Sequence, residues 1–145
     1  MTEKFYKNIE KIIPQRAPMI LIDQYKRSID ADTAYAGIHF SPEAYGCHDG
    51  WVSESMRIEA VAQTAAAHIG YEAKLDNGKE PGIGMLATVD SFTWYDRVKD
   101  TEKVEIQAFK TDEIGPFKLI KADITVGKRH VARGRIKVFN PPWED

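Results

Sequence analysis

The segment SMRIEAVAQTAAAHIGYEAKL carries the strongest helical signal in the chain, and it restricts what the rest can become. Its alanines favour helix and allow neighbours to approach closely, while Ile58, Val61, Ala62, Ala65 and Ile69 recur at three- and four-residue spacing. Ser53 or Ser55 can cap its start, and Asn77-Gly78 with Pro81-Gly82 punctuate its end, so one long helix is predicted over residues 53–75. The flanking sequence has a different period. Four segments, 82–96, 102–112, 117–127 and 129–139, are rich in branched and aromatic residues and break at Asp100, Gly115-Pro116 and Gly127-Lys128. They are expected to form an antiparallel sheet.

Two further strands are predicted upstream. MILIDQYKRSI begins after Pro18, and YAGIHF alternates so that Ala36, Ile38 and Phe40 share one face while Tyr35, Gly37 and His39 share the other. Phe5, Ile9, Ile12 and Ile13 fit an amphipathic helical pattern that Pro14 ends. SPEAYGCHDG reads as a loop leading into the long helix. One helix beside five to seven strands is an α+β arrangement, a curved sheet around a central helix, and 145 residues make it a single domain over 1–145.

Composition removes several function classes. With 43% apolar residues, 20 Lys+Arg and 22 Asp+Glu, the chain is globular and slightly acidic, which argues against a nucleic-acid binder. No run approaches the roughly 18 apolar residues of a membrane-spanning helix, and the first residues lack the pattern of a secretory signal, so no membrane association and a cytoplasmic location are expected. The single cysteine, Cys47, cannot form an internal disulfide and is read as a small apolar residue rather than a nucleophile. His39, His68 and His130 fall on separate elements and do not suggest a metal site. Gly82 and Gly84 make neither a dinucleotide nor a Walker motif.

The order of IPQRAPMILIDQ, then GCHDG, then RIEAVAQTAA resembles the hotdog-fold β-hydroxyacyl-[acyl-carrier-protein] dehydratases, including the aryl-polyene-associated branch, over nearly the whole chain. The resemblance implies a curved sheet wrapped around one long helix, a homodimer, and an acyl tunnel at the subunit interface. It implies a carbon–oxygen lyase that reversibly dehydrates a β-hydroxyacyl thioester, with no cofactor and no metal. EAVAQ matches the family's glutamate-containing helix motif and makes Glu59 the acid; His48 in GCHDG resembles the catalytic histidine before the same helix. A neutral His48 can take the α proton, and Glu59 can protonate the departing β hydroxyl when burial keeps it protonated.

The neighbouring residues admit two readings each. Gln63, one turn after Glu59, can orient a polar group in the same pocket or be a surface amide. Gly50 allows close approach of the substrate or simply makes a turn, which Asp49 would cap. Trp51 and Trp94 can line an acyl tunnel or fill the core. Basic residues outnumber acidic ones eight to three from Lys110 through Lys137, a patch suited to an acyl carrier protein or coenzyme A and equally to a solvated strand face. Thioester hydrolysis and a non-catalytic carrier-binding role are the alternatives to dehydration.

Overall fold

The computed structural model describes residues 4–40, 46–80 and 85–140. The predicted punctuation at Pro81-Gly82, Gly82 and Gly84, and the start of the loop after Phe40, lie outside the described residues. Strands β1 (Gln24–Arg27), β2 (Thr33–His39), β5 (Met85–Trp94), β6 (Lys103–Ile114), β7 (Phe117–Val126) and β8 (Arg129–Phe139) form one six-stranded sheet in the order β1-β2-β6-β7-β8-β5. Every pairing is antiparallel. A two-stranded ribbon, β3 (Cys47–His48) and β4 (Trp51–Val52), precedes α1 (Glu54–Tyr71), which runs on into a π-helical turn at Glu72–Asp76. Helix α1 packs on β1, β2, β6 and β8, giving the single helix wrapped by a sheet that the sequence predicts.

The alternation read in β2 holds: Ala36, Ile38 and Phe40 are buried, while His39 is exposed. The inward residues of β6 to β8, among them Val104, Ile106, Ile124, Val131 and Ile136, meet Ala60, Val61 and Ala65 of α1 in one core. Full burial of each Val or Ile contributes about 1.5–3 kcal/mol. Ser53 is the N-cap, accepting a hydrogen bond from the Met56 amide at 3.3 Å.

Two upstream elements differ from expectation. The amphipathic helix expected from Phe5 to Ile13 is a single 3-10 turn, Ile9–Lys11, since a segment this short cannot sustain helix alone and Tyr6 is drawn into a β-bridge with Tyr25. Its apolar periodicity survives as burial: Ile9, Ile12 and Ile13 all enter the core. The strand expected from residue 19 begins only at Gln24. The Met19 carbonyl and the Leu21 amide are engaged by a helix side chain instead of a neighbouring strand.

The N-terminal segment lies directly on α1 at Gly70. A methyl group built there would sit 1.7 Å from the Ile12 carbonyl oxygen, so only glycine permits this approach. Gly70→Ala should therefore lower the urea midpoint by the equivalent of at least about 1–3 kcal/mol, the usual cost of overpacking. An unchanged midpoint would show that the segment moves away from the helix at no cost.

Candidate functional site

Gln63 projects from the middle of α1 and is completely buried. Its Oε1 accepts from the Leu21 amide at 2.8 Å, and its Nε2 donates to the Met19 carbonyl at 2.8 Å and to Glu59 Oε1 at 3.2 Å. The backbone partners fix which amide atom is which, and all three bonds are needed to bury this group cheaply. Gln63 is thus neither a surface amide nor an open pocket group; it pins the segment before β1 to the helix and holds the Glu59 carboxylate. Glu59 itself is half-buried, on a stripe with Ile58, Ala62 and Ala66 that the chain's own sheet covers only partly.

His48 stands on a different piece. It lies opposite Trp51 in the β3–β4 hairpin, whose central residues Asp49 and Gly50 have φ of 52° and 85°. Positive φ at both positions is what a two-residue type I′ turn requires, and Asp-Gly supplies it. The hairpin is tied to the loop before β6 by Val52 N–H to the Val98 carbonyl at 2.9 Å and Asp100 N–H to the Gly50 carbonyl at 3.0 Å. The Arg97 guanidinium lies 3.6 Å from the Trp51 ring centroid. His48, Asp49 and Gly50 are exposed.

The structure therefore brings Glu59 and Gln63 together, and His48, Gly50 and Trp51 together. Among the described residues no hydrogen bond joins His48 to Glu59 within the chain. Trp94 belongs to a third cluster: it stacks on Phe92 at 5.1 Å and carries the Arg57 guanidinium 4.4 Å from its ring centroid.

Arg57 is the residue that sequence reasoning missed. It is buried, donates through Nη1 to the Asp96 carbonyl at 3.1 Å, and leaves its Nε without a hydrogen-bond partner among the described residues. Burial pushes its pKa down, against the opposing influence of Glu54 and Asp96. The available signal was a cation at the position that continues, through Val61 and Thr64, into the buried face of the helix.

The remaining polar groups have structural partners. Cys47 packs against the core, and burial, reinforced by Asp100, pushes its thiol up, away from a reactive thiolate. His39 contacts Asp23, His130 contacts Asp123, and His68 bridges Tyr25 and Ala31. No three His, Cys, Asp or Glu side chains converge as metal ligands among the described residues. Within the basic stretch, Lys110 pairs with Glu113, Arg129 with Glu102 and Asp96, and Arg133 with Asp123. No described helix is long and apolar enough to cross a membrane.

An antiparallel sheet wrapped around one long helix is the hotdog arrangement. The family profile described as ApeP-like, ApeP dehydratase, matches residues 7–145, and the chain belongs to that family, within the aryl-polyene-associated branch of the β-hydroxyacyl-thioester dehydratases. The fold is also that of the dehydratase heterocomplex ApeI:P from Xenorhabdus doucetiae, with 19% identity over 94% of this chain and 93% of that one and a TM-score of 0.83. An uncharacterised protein of Pyrococcus horikoshii is similar at 14% identity, covering 89% of this chain and 90% of that one, with a TM-score of 0.63. A hypothetical thioesterase with coenzyme A from Streptococcus pneumoniae is similar at 11% identity, covering 79% and 83%, with a TM-score of 0.61. No curated protein sequence matches the chain.

Gln63→Leu should destabilise the protein by about 1–3 kcal/mol for each backbone group left unpartnered, and speed hydrogen exchange at the Leu21 amide above all others. Uniform exchange across the chain would remove the clamp role. A second expectation concerns acid. Tyr25 donates to His68 Nδ1 at 2.6 Å and His68 Nε2 donates to the Ala31 carbonyl at 2.9 Å, fixing a neutral imidazole whose pKa burial holds below its ordinary 6.5. The unfolded chain takes up this proton first, so the stability contribution is complete above about pH 6.5 and is lost as pH falls toward the lower folded-state value. Urea midpoints measured across that range should fall with acid in the wild type, and His68→Phe should flatten the part of the slope due to this group.

Proposed function

We propose that the protein interconverts a β-hydroxyacyl thioester and its enoyl partner, with Glu59 as the acid and His48 as the base, the two contributed by different subunits. The observation that carries this reading is the placement of Glu59: a carboxylate held by a buried amide on the one stripe of α1 that its own sheet leaves partly open. A second subunit laid on that stripe would enclose Glu59 with Ile58, Ala62 and Ala66, an apolar channel beside a proton donor. The exposed His48, rigidly presented on its hairpin and directed outside its own core, suits supply to a neighbouring subunit.

In the dehydration direction His48 takes the proton from the α carbon. The electron pair forms the α–β double bond, and the β C–O bond breaks as Glu59 gives its proton to the departing oxygen, releasing water. Neither residue becomes bonded to the substrate, and the thioester stays intact. Hydration runs through the same transition state in reverse.

Strand β5 supports assembly. It ends the sheet, its residues 86–91 are exposed, and Leu86 and Val89 retain 38% and 44% of their accessible surface. An apolar edge of this kind pairs readily with another chain. A homodimer would pair two copies across a two-fold axis. The similar Xenorhabdus assembly is a heterocomplex, which favours a second reading, in which a related dehydratase subunit lies there instead. The acyl group would be presented by an acyl carrier protein or as a coenzyme A thioester, received by the basic residues of the Lys110–Lys137 stretch that lack a local acid. A cytoplasmic location accords with those partners.

Glu59→Gln and His48→Ala should each keep the assembly seen by analytical ultracentrifugation and lower turnover in both directions by about 10²–10⁴-fold. Full activity in either folded variant would remove that residue from the mechanism. Activity that emerges only on adding a second dehydratase subunit would select the heteromeric reading, and thiol release in place of the enoyl product would select hydrolysis.

A further inference from the structure

At the opposite end of α1 lies a cleft of about 330 Å³ between the helix and strands β2, β6 and β7. It is remote from Glu59. His68 in its wall follows Glu59 by nine residues, which on a helix means about 13 Å along the axis and the opposite face. The space exists because three elements present alanine at the same place. Ala34 of β2 and Ala108 of β6 are register partners, and Ala65 of α1 faces the same cleft. Ile69 and Ile120 complete an apolar floor of methyl groups, all five residues being buried.

The polar lining is not uniform. Of its cationic side chains, Arg27 is ion paired with Asp76 and Lys110 with Glu113. Asp30 is engaged by Ser28 and by the Asp32 amide. Both ring nitrogens of His68 are occupied by Tyr25 and Ala31. Lys118 differs: it is half-buried on β7 and makes no ion pair among the described residues, the carboxylates that act on it being Glu113, its register partner on β6, and Glu72. Burial holds its pKa down, while Glu113 and Glu72 act in the opposite direction.

We propose that this cleft binds a small monocarboxylate with an apolar body, its carboxylate paired with Lys118 and its body lying on the Ala34, Ala65 and Ala108 floor. The volume is that of a small-ligand site, and Lys118 is the cation of the lining whose ammonium is not already held in an ion pair. The charge pattern selects among ligands. Asp30, Asp32, Glu72 and Asp76 also line the cleft, so every negative charge beyond the one that Lys118 receives adds repulsion, which opposes a polyanion such as a nucleotide phosphate most strongly. A cationic head would meet those carboxylates favourably but would have to sit against Lys118. A neutral head would leave the Lys118 ammonium without its partner.

The test is a titration of protein labelled at alanine and isoleucine methyl groups, using octanoate, octanol and octylammonium as probes and NMR shifts as readout. Octanoate should give saturable shifts centred on Ala34, Ala65, Ala108 and Ile120, binding at least about tenfold more tightly than either of the other two, since its charge-assisted contact is absent from both. Lys118→Met, which keeps the apolar stem, should abolish that preference and leave octanol unchanged; Ala108→Leu, which fills the floor, should remove binding of all three. Equal affinity for octanoate and octanol, shifts centred on Ile58, Ala62 and Ala66, or no saturable shift in the wild type would each overturn the proposal. The wild-type probe comparison decides it even if Lys118→Met fails to fold. Because the readout is binding, it is independent of whether Glu59 and His48 carry out dehydration.

Discussion

The buried amide of Gln63 is the interaction on which the rest of the site depends. A helix side chain replaces a neighbouring strand as hydrogen-bond partner for the Met19 carbonyl and the Leu21 amide, and the same amide holds Glu59 one turn earlier. An unpaired amide in this position would be costly, so the three bonds stand or fall together. The consequence reaches beyond local stability. The chain before β1 cannot shift along α1 without releasing the glutamate, so the packing of residues 19–23 and the aim of the acidic group are one constraint. Gly70 works in the same direction by letting the Ile12 carbonyl rest on the helix.

This coupling explains which parts of the fold were legible in the sequence. Periodicity reports burial, and burial was read correctly wherever one residue type sufficed to encode it: the alternation of β2, the alanine-rich helix, the turn residues between β6, β7 and β8. It failed where a long-range hydrogen bond decided the backbone. Met19 to Ile22 look like a strand because Leu21 and Ile22 are buried, but their backbone partner is a side chain 42 residues away from Leu21. Phe5 to Ile13 look helical because their apolar spacing is right, yet the spacing serves to dock three isoleucines on the core.

The candidate site was legible to the same degree and for the same reason. Glu59 and Gln63 share a helix, so their proximity is a property of local geometry. His48 and Glu59 belong to separate elements, and no local rule fixes the relation between a hairpin and the face of a helix that turns away from its own core. The hairpin itself had a signal, Asp49-Gly50, read in the sequence as a turn but not as the centre of a two-strand ribbon, and both residues take the positive φ that such a turn requires. Arg57 had one too: a cation continuing the buried stripe is conspicuous once burial rather than helicity is asked of it.

The two faces of α1 make different demands on what surrounds them. The buried face carries Arg57, whose charge is accommodated within the chain by the Trp94 ring and the Asp96 carbonyl. The other carries Glu59 among Ile58, Ala62 and Ala66, and there the chain supplies one amide and no second layer. A helix normally turns a polar face to water; this stripe is apolar around its single acid. Together with the apolar outer edge of β5, that leaves two surfaces whose composition suits protein contact better than solvent. The carboxylate that the family resemblance marks as catalytic is thus also the polar centre of the surface with most to gain from a second subunit. A second subunit laid on the stripe would exclude water from around Glu59, and assembly and the proposed chemistry would then be a single event.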